Sequence, residues 1–249
     1  SSVIAKPGFY SVFLKDYNID VELTTSQRVG FHKYSFPKTE NQYMLLDLEH
    51  RDKHLECFVE QVSETRFVGL RRSQSWAENQ YQCFVMDFNR PVEVIYYKLH
   101  NKAETNSQSP DNQPIKKDEY SKIIFKIKPS DSKQVLVKVG LSAVSTQGAI
   151  KNLESEISAW NFEEVHQNAT YQWDNELSKI LVYGASQEEQ TVFYTALYHS
   201  FIAPNIFSDV DGNFRGTDLK IHQSKDHDTY TVFSLWDTYR ATHPLFTIV

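Results

Sequence analysis

Cysteine is scarce in this sequence, with Cys57 and Cys83 as the only two residues of this type. They lie in separate strand-like segments and do not form a Cys-x-x-Cys pair, the spacing that structural zinc sites require. The pattern therefore argues against a metal role for the cysteines. It leaves open whether the two thiols are free or joined in a disulfide.

Several other features are missing, and each absence excludes a class of protein. No apolar run approaches the roughly 20 residues that a membrane-spanning helix needs. A Ser-His-Asp arrangement, a phosphate-binding glycine loop and an HExxH motif are all absent. The net charge of −6 and the lack of a basic patch argue against a nucleic-acid-binding protein. No secretory leader is visible at Ser1, so any such segment is expected to have been removed or to lie outside this sequence.

Aromatic residues are abundant, with 16 Phe, 14 Tyr and 4 Trp in 249 residues. Together with a hydrophobic fraction of 40%, they provide for a sizeable core and argue against general disorder. The length suits one large domain or two ordinary ones. A high aromatic content is typical of β-sheets and of carbohydrate-binding surfaces, although it does not distinguish them.

The first part of the chain is rich in short predicted strands separated by turns, a rhythm that indicates an antiparallel sandwich. Two hairpins are expected, one turning at Ser63-Glu64 and one at Asn89-Arg90-Pro91. The polar stretch Asn101–Ser121 is predicted to be a long exposed loop between strands. The predicted strands are Gly8–Leu14, Ile19–Leu23, Arg28–Phe36, Tyr43–Leu48, Cys57–Val62, Thr65–Leu70, Tyr81–Phe88, Val92–Leu99, Lys122–Lys128 and Gln134–Leu141.

The periodicity becomes helical from Gln147 onwards, where apolar residues recur at spacings of three and four. An amphipathic helix is predicted over Asn161–Val182, with Asn161 as its N-cap, and the next runs from Ser186 to about Phe201. A final helix is expected to start near Thr229. These few helices cannot cover one another, so we expect the chain to be a fragment whose remaining helices lie beyond Val249.

The final segment contains an indole, a carboxylate and a guanidinium at helical spacing, namely Trp236, Asp237 and Arg240. Such a set suits a sugar-binding surface, because the aromatic ring covers the apolar face of a pyranose and the charged groups hydrogen-bond its hydroxyls. The alternative is an Asp–Arg pair beside a core tryptophan. Spacing alone favours this second interpretation.

Two further stretches have competing interpretations. The run Asp209–Asn213 has alternate carboxylates that resemble a calcium loop, but its glycine comes early and no closing glutamate follows, so an Asx-stabilised turn is favoured. Trp76 lies between two strands and is interpreted either as a binding-loop residue or, more commonly, as a buried strand-end residue. His222 and His227 precede the final helix, where they would line a cleft or be solvated.

Five longer stretches resemble the bacterial α-mannosidases of glycoside hydrolase family 92, and the resemblance runs nearly from end to end. That family has an N-terminal antiparallel β-sandwich, a helical linker and an (α/α)6 barrel. The resemblance therefore implies a sandwich over residues 1–146, a linker over 147–184 and the truncated start of the barrel over 185–249. The stretches are GFYSVFLKDYNIDVELTTSQRVGFHKYSFP (Gly8–Pro37), RRSQSWAENQ (Arg71–Gln80), VKVGLSAVSTQGA (Val137–Ala149), FYTALYHSFIAPNIFSDVDGNFRG (Phe193–Gly216) and YTVFSLWDTYRATHPLFTIV (Tyr230–Val249).

The resemblance also implies a function, an inverting, exo-acting hydrolysis of mostly α-1,2-linked mannosides with Ca²⁺ as cofactor. Inversion needs a carboxylic acid and a carboxylate base about 6.5–9.5 Å apart. In the family these groups and the calcium ligands come from later parts of the barrel, so we expect them beyond Val249. A glycine- and histidine-rich motif of the sandwich is expected before Ser1. The substrate-binding residues carried over to this chain are Trp236, Asp237, Arg240, Asp209, Asp211 and Arg215.

The expected partners are mannose-containing glycans of the N-glycan or mannan type, and the expected location is the periplasm or the extracellular space. Two alternatives remain open. A non-catalytic carbohydrate-binding or interaction sandwich fits the composition, but it has no need of the helical half. An (α/α)6-barrel glycosidase of other sugar specificity would have the same architecture.

Overall fold

The computed structural model describes residues 2–38, 40–99, 120–231 and 234–249. The predicted loop Asn101–Ser121 lies outside these residues, apart from its last two positions at the start of a strand. The strands are β1 (Val3–Lys6), β2 (Phe9–Leu14), β3 (Ile19–Thr25), β4 (Val29–Ser35), β5 (Tyr43–Asp47), β6 (Lys53–Gln61), β7 (Arg66–Gln74), β8 (Gln80–Phe88), β9 (Val92–Leu99), β10 (Tyr120–Ile127), β11 (Gln134–Ser142), β12 (Asn213–Arg215) and β13 (Ile221–Gln223). The helices are α1 (Thr146–Glu156), α2 (Phe162–Leu177), α3 (Gln187–Phe201), α4 (Leu235–Thr238) and α5 (Thr242–Leu245).

The first eleven strands form the predicted antiparallel sandwich. Within the described residues, one sheet has eight strands in the order β1-β2-β3-β4-β11-β8-β7-β6, and the facing sheet has three in the order β5-β10-β9. Alternation along β10 shows why the sheets pack. Ile123, Phe125 and Ile127 are buried, whereas the intervening Ile124 and Lys126 are only partly covered. This period of two places one face of β10 in the core.

Three phenylalanines from three strands fill the centre of the sandwich. The ring of Phe125 lies 4.8 Å from that of Phe67 and 5.2 Å from that of Phe88, with tilted planes. All three side chains are buried. Aromatic pairs in such tilted arrangements stabilise a core beyond the area that they bury.

Helix α1 packs against the opposite face of the larger sheet, so the molecule has three layers. Strand β8 lies in the middle layer, and its residues from Cys83 to Phe88 are all buried. Met86 faces the smaller sheet, and Val85 faces the helices together with Ala149 and Leu153 of α1. Coverage on both faces explains why four consecutive residues of β8, Cys83–Met86, are apolar.

The predicted hairpin at Ser63-Glu64 is confirmed, because β6 and β7 pair directly across it. The second predicted hairpin, at Asn89-Arg90-Pro91, is wrong. Strand β8 pairs with β7 and β11, whereas β9 pairs with β10 in the other sheet. The chain crosses here from one sheet to the other, and Arg90 holds the crossing by donating to Gln42 Oε1 and to the carbonyl of Gln134.

Two helix starts have the predicted caps, Asn161 and Ser186, and α1 begins after a third cap, Ser145. Ser145 accepts a hydrogen bond from Gly148 N, Asn161 from Glu164 N, and Ser186 forms a full capping box with Glu189. Helix α2 nevertheless ends at Leu177, short of the predicted Val182. The chain then turns back towards α3, where the carbonyl of Ile180 accepts a hydrogen bond from the Tyr194 hydroxyl at 3.2 Å.

Lys138 of β11 is a buried cation at the C-terminal end of α1. Its ammonium donates to the carbonyls of Ile157 and Ser158 at 2.9 and 3.2 Å and lies 4.3 Å from the centre of the Trp160 ring. Burial lowers the pKa of Lys138. The carbonyls of Ile157 and Ser158 follow the end of α1 and have no helical partner. By donating to both of them, Lys138 holds the turn between α1 and α2 on the sheet.

Both cysteine thiols are free. Cys57 lies in the sandwich core, where its thiol approaches the carbonyl of Tyr120 at 3.3 Å, and burial raises its pKa to about 12. Burial also raises the pKa of Cys83, to about 11. Neither thiol is therefore ionised near neutral pH. The two cysteines do not form a disulfide with each other.

Candidate functional site

The segment that carries the predicted sugar-binding residues is not one helix, so the predicted start of a helix near Thr229 is wrong. Residues 229–231 are extended and pair with residues 205–208. Phe207 N donates to Thr229 O at 2.7 Å, and Thr231 N donates to Asn205 O at 2.9 Å. Helical turns appear only afterwards, as α4 and α5. Backbone pairing with a distant segment therefore replaces the predicted helical hydrogen bonds here.

Trp236 and Asp237 lie in α4 and project from the surface. The Trp236 side chain is 89% exposed, and the Asp237 carboxylate accepts no hydrogen bond from the described residues. Arg240 lies beyond α4, where its Nε donates to the Tyr239 hydroxyl at 2.8 Å. No ion pair joins Asp237 to Arg240 in the described part of the chain. The Asp–Arg pair favoured from spacing is thus absent, because the helix ends at Thr238.

Asp209 is buried at the junction of the last sandwich strand, α1 and the following loop. Its two carboxylate oxygens accept hydrogen bonds from Ser142 Oγ and Asn152 Nδ2, each at 2.8 Å. Burial raises the pKa of Asp209, although these two hydrogen bonds act in the opposite direction. Asp209 thus anchors the loop to the sandwich, and both of its oxygens are already used inside the fold.

The run Asp209–Asn213 forms the tight turn favoured from its sequence. Gly212 N donates to Asp209 O at 2.9 Å, and Asn213 N donates to Asp211 Oδ1 at 3.2 Å, which is an Asx contact. The second Asp211 oxygen accepts from Lys151 Nζ at 2.8 Å. This hydrogen bond from the Lys151 ammonium is the main reason that the pKa of Asp211 is lowered.

Arg215 fixes the hairpin of β12 and β13 to the sandwich. Its guanidinium donates to the carbonyls of Ala143, Val144 and Leu219 at 2.9, 3.1 and 2.9 Å. The guanidinium carbon also lies 4.0 Å from the centre of the Tyr81 ring. Sugar contacts of Asp209, Asp211 and Arg215 remain predictions, whereas their described contacts hold the loop in place.

Arg28 and Glu156 are central to the same region, yet no sequence pattern pointed to them. Arg28 Nε donates to Ser208 O at 2.6 Å, and its Nη1 donates to Glu156 Oε1 at 2.7 Å. These partners are 180 and 128 residues away along the chain. No local pattern marks such a pair, because folding alone brings the three segments together.

The remaining candidates lie at the surface. Trp76 is 93% exposed, so the more common interpretation of a buried strand-end residue is wrong. His222 is exposed on β13, where its Nε2 lies 3.0 Å from Asp218 Oδ1. His227 lines a shallow depression of about 460 Å³ together with Asp211 and Asp228.

The described residues do not fit a calcium ion. Nowhere in the described ranges do three histidine, cysteine or acidic side chains converge on one point. The carboxylates of the turn are instead bonded to Ser142, Asn152 and Lys151. In addition, no helix within the described residues is long and apolar enough to cross a membrane.

Gly148 provides a test of how tightly the loop is anchored. A Cβ atom at this position would overlap Asp209 Oδ2 and lie 2.7 Å from Ser142 Oγ. At an exposed position inside a helix, replacing glycine by alanine stabilises the protein by about 1 kcal/mol. Here we expect Gly148→Ala to destabilise by about 1–3 kcal/mol, because the methyl group displaces Asp209.

Thermal unfolding measures this effect, with the neighbouring exposed Gln147→Ala as the control. We expect the melting temperature to fall for Gly148→Ala and to stay nearly unchanged for Gln147→Ala. A melting temperature that rises in the Gly148 variant would contradict the proposed anchoring.

Comparison with known proteins identifies the family that shares this architecture. Residues 1–142 match the Glycosyl hydrolase family 92 N-terminal domain, and residues 148–249 match the Glycosyl hydrolase family 92 catalytic domain. Among solved structures, a family GH92 alpha-mannosidase from Bacteroides thetaiotaomicron is 29% identical with a TM-score of 0.83, over 98% of this chain and 33% of that one. That protein has also been solved in complex with mannoimidazole.

Two other relatives are more distant. A family GH92 inverting mannosidase from Bacteroides thetaiotaomicron VPI-5482 shares the fold, with 23% identity and a TM-score of 0.80 over 98% of this chain and 32% of that one. An uncharacterized secreted glycosidase of Arthroderma benhamiae is 25% identical over 96% of this chain and 32% of its own length. The chain thus spans about a third of the length of the relatives it matches.

The fold and the matches together define the class of protein. An antiparallel sandwich followed by helices forms part of a glycosyl hydrolase. Because the two family matches together cover nearly the whole sequence, the chain belongs to glycosyl hydrolase family 92.

Proposed function

We propose that this chain is part of an inverting, exo-acting α-mannosidase that removes terminal mannose, mostly α-1,2-linked, from glycans of the N-glycan or mannan type. The observation that carries the proposal is the exposed Trp236–Asp237 turn in a chain of family 92. A named alpha-mannosidase of that family, similar over 98% of this chain, supports the choice of sugar.

In this proposal the residues of the turn bind the terminal mannose. The exposed ring of Trp236 would cover the apolar face of the pyranose, while the Asp237 carboxylate accepts hydrogen bonds from hydroxyls. Arg240 would donate through its terminal nitrogens, which make no hydrogen bond among the described residues. The loop held by Asp209, Asp211 and Arg215 would border the mouth of the pocket.

In this proposal, the chain consists of three parts. Residues 1–146 form the sandwich, 147–184 the linker and 185–249 the start of an (α/α)6 barrel. The acid that protonates the leaving oxygen and the base that activates water would come from the rest of the protein, about 6.5–9.5 Å apart. The calcium ion expected for the family would also be held there. Secretion to the periplasm or outside the cell is part of the proposal, supported by the relative described as secreted.

The experiment is an assay of the full-length protein on α-1,2-mannobiose and on the corresponding glucobiose, with and without a calcium chelator. We expect hydrolysis of the mannoside alone, with β-mannose as the first product observed by NMR, and loss of the activity after chelation. Release of α-mannose would exclude inversion. Cleavage of the glucoside instead would favour a barrel glycosidase of other sugar specificity.

A second candidate, a non-catalytic carbohydrate-binding sandwich, is favoured by one observation, the 93% exposed Trp76 on a sandwich loop. It predicts binding of mannan without hydrolysis. The same assay, combined with a binding measurement on an insoluble mannan, separates the two candidates.

A further inference from the structure

We propose that Arg28, in the turn between β3 and β4 of the sandwich, is a positioning residue for the segment that carries Trp236 and Asp237. The inference deepens the proposed function, and its catalytic test rests on that function. Arg28 itself touches no reacting group in this proposal. It acts through the extended pairing of residues 205–208 with 229–231, which come shortly before α4 in the sequence.

The Arg28 guanidinium joins three separate parts of the chain. Its Nη1 donates to Glu156 at the end of α1 at 2.7 Å, and its Nε donates to the carbonyl of Ser208 at 2.6 Å. The third nitrogen, Nη2, lies 3.6 Å from Asp228 Oδ1. Ser208 and Asp228 flank the hairpin loop at its two ends, so one side chain holds both ends of the loop.

The junction is enclosed, which makes its geometry specific. The side chains of Arg28 and Glu156 are only 9% and 12% exposed. Glu156 Oε2 accepts two further hydrogen bonds, from Ser26 Oγ at 2.6 Å and from Arg28 N at 2.9 Å. A largely enclosed carboxylate with three donors fixes the orientation of the guanidinium, and the planar guanidinium bonds two acceptors in set directions.

The effect passes from Arg28 to the sugar-binding turn through the backbone. Ser208 accepts from Arg28 through its carbonyl and donates through its N–H to Thr229 O at 3.2 Å. Thr229 in turn lies five residues before Ser234, the N-cap of α4. In this proposal, a shift of Ser208 moves Thr229 and, through the chain, α4. Displacements of about 1 Å at a reacting sugar reduce rates by as much as a hundredfold.

The test compares Arg28→Lys with Arg66→Lys in the full-length protein. Arg66 is a matched control, because it also joins the sandwich to α1, through Asp87 at 2.8 Å and Glu154 at 2.9 Å, but makes no hydrogen bond or ion pair to the described C-terminal residues. A lysine retains the charge yet cannot bond two acceptors in the fixed directions of a guanidinium. For Arg28→Lys we expect kcat on α-1,2-mannobiose to fall about 10- to 100-fold with little change in KM. For Arg66→Lys we expect both constants to stay near those of the wild type, although both variants melt at a lower temperature.

Hydrogen–deuterium exchange provides a readout that is independent of activity. Arg28→Lys should speed exchange at the amides of residues 205–231, and Arg66→Lys should leave them unchanged. Equal exchange in the two variants, or equal kinetic constants, would overturn the positioning role.

If the wild type hydrolyses no mannoside, the proposed function fails while the exchange result still decides the role of Arg28. Should Arg28→Lys not fold, the milder Glu156→Gln is measured in the same two ways with the same expected outcomes.

Discussion

Replacing Asp237 with alanine in the full-length enzyme should lower kcat/KM for α-1,2-mannobiose by about a hundredfold or more. The carboxylate is exposed on α4 and is not used by the described residues, so its hydrogen-bonding capacity is available to a sugar. A hydrogen bond to a charged group contributes about 1.5–3 kcal/mol, and two such bonds to neighbouring hydroxyls together account for the expected loss.

The matched control is Asp174→Ala, which removes another exposed carboxylate, on α2 and outside the proposed site. We expect its kinetic constants and melting temperature to remain those of the wild type. Asp237→Ala should also melt normally, since its side chain supports no described contact. An Asp237 variant with unchanged kcat/KM would show that the sugar-binding assignment is wrong.

The second large effect concerns the core of the sandwich. Phe125→Ala should destabilise the domain by about 3–5 kcal/mol, because it leaves a cavity between the two sheets beside Phe67 and Phe88. For a domain of this size, the melting temperature should fall by on the order of 10 °C. Scanning calorimetry of the protein measures this shift.

Leu45→Ala serves as the comparison on the same sheet. Leu45 lies on β5 next to β10 and pairs in register with Ile124, but its side chain is 60% exposed. We expect a change of only a few degrees, since little buried area is lost. Similar shifts for the two variants would mean that the aromatic cluster does not hold the sheets together.

The sandwich could be predicted from sequence because its signal is local. Alternation at period two along β10 records which side chains face the core, and the Ser63-Glu64 turn joins strands that are also neighbours in space. The caps at Asn161 and Ser186 are local as well, since each bonds a backbone N–H three residues away. Each of these features depends only on residues that are close along the chain.

The pairing of β9 and the end of α2 could not be predicted in the same way. A turn at Asn89-Arg90-Pro91 suits both a hairpin and a crossing between sheets, and the partners of Arg90 lie 40 to 48 residues away. Likewise, α2 stops where Tyr194 of α3 contacts the chain that follows. Choices between locally equivalent structures are made by distant contacts.

The candidate site shows the same division most clearly. The sequence by itself identified Trp236, Asp237 and Arg240 as a chemically suitable group, because their side-chain types alone suit a sugar. Only the tertiary structure decided that residues 229–231 are extended, that Arg240 lies outside the helix, and that Asp209 and Arg28 anchor the loop from the sandwich. The reason is physical: a buried polar side chain must find partners, and here those partners are brought near by folding rather than by position along the chain.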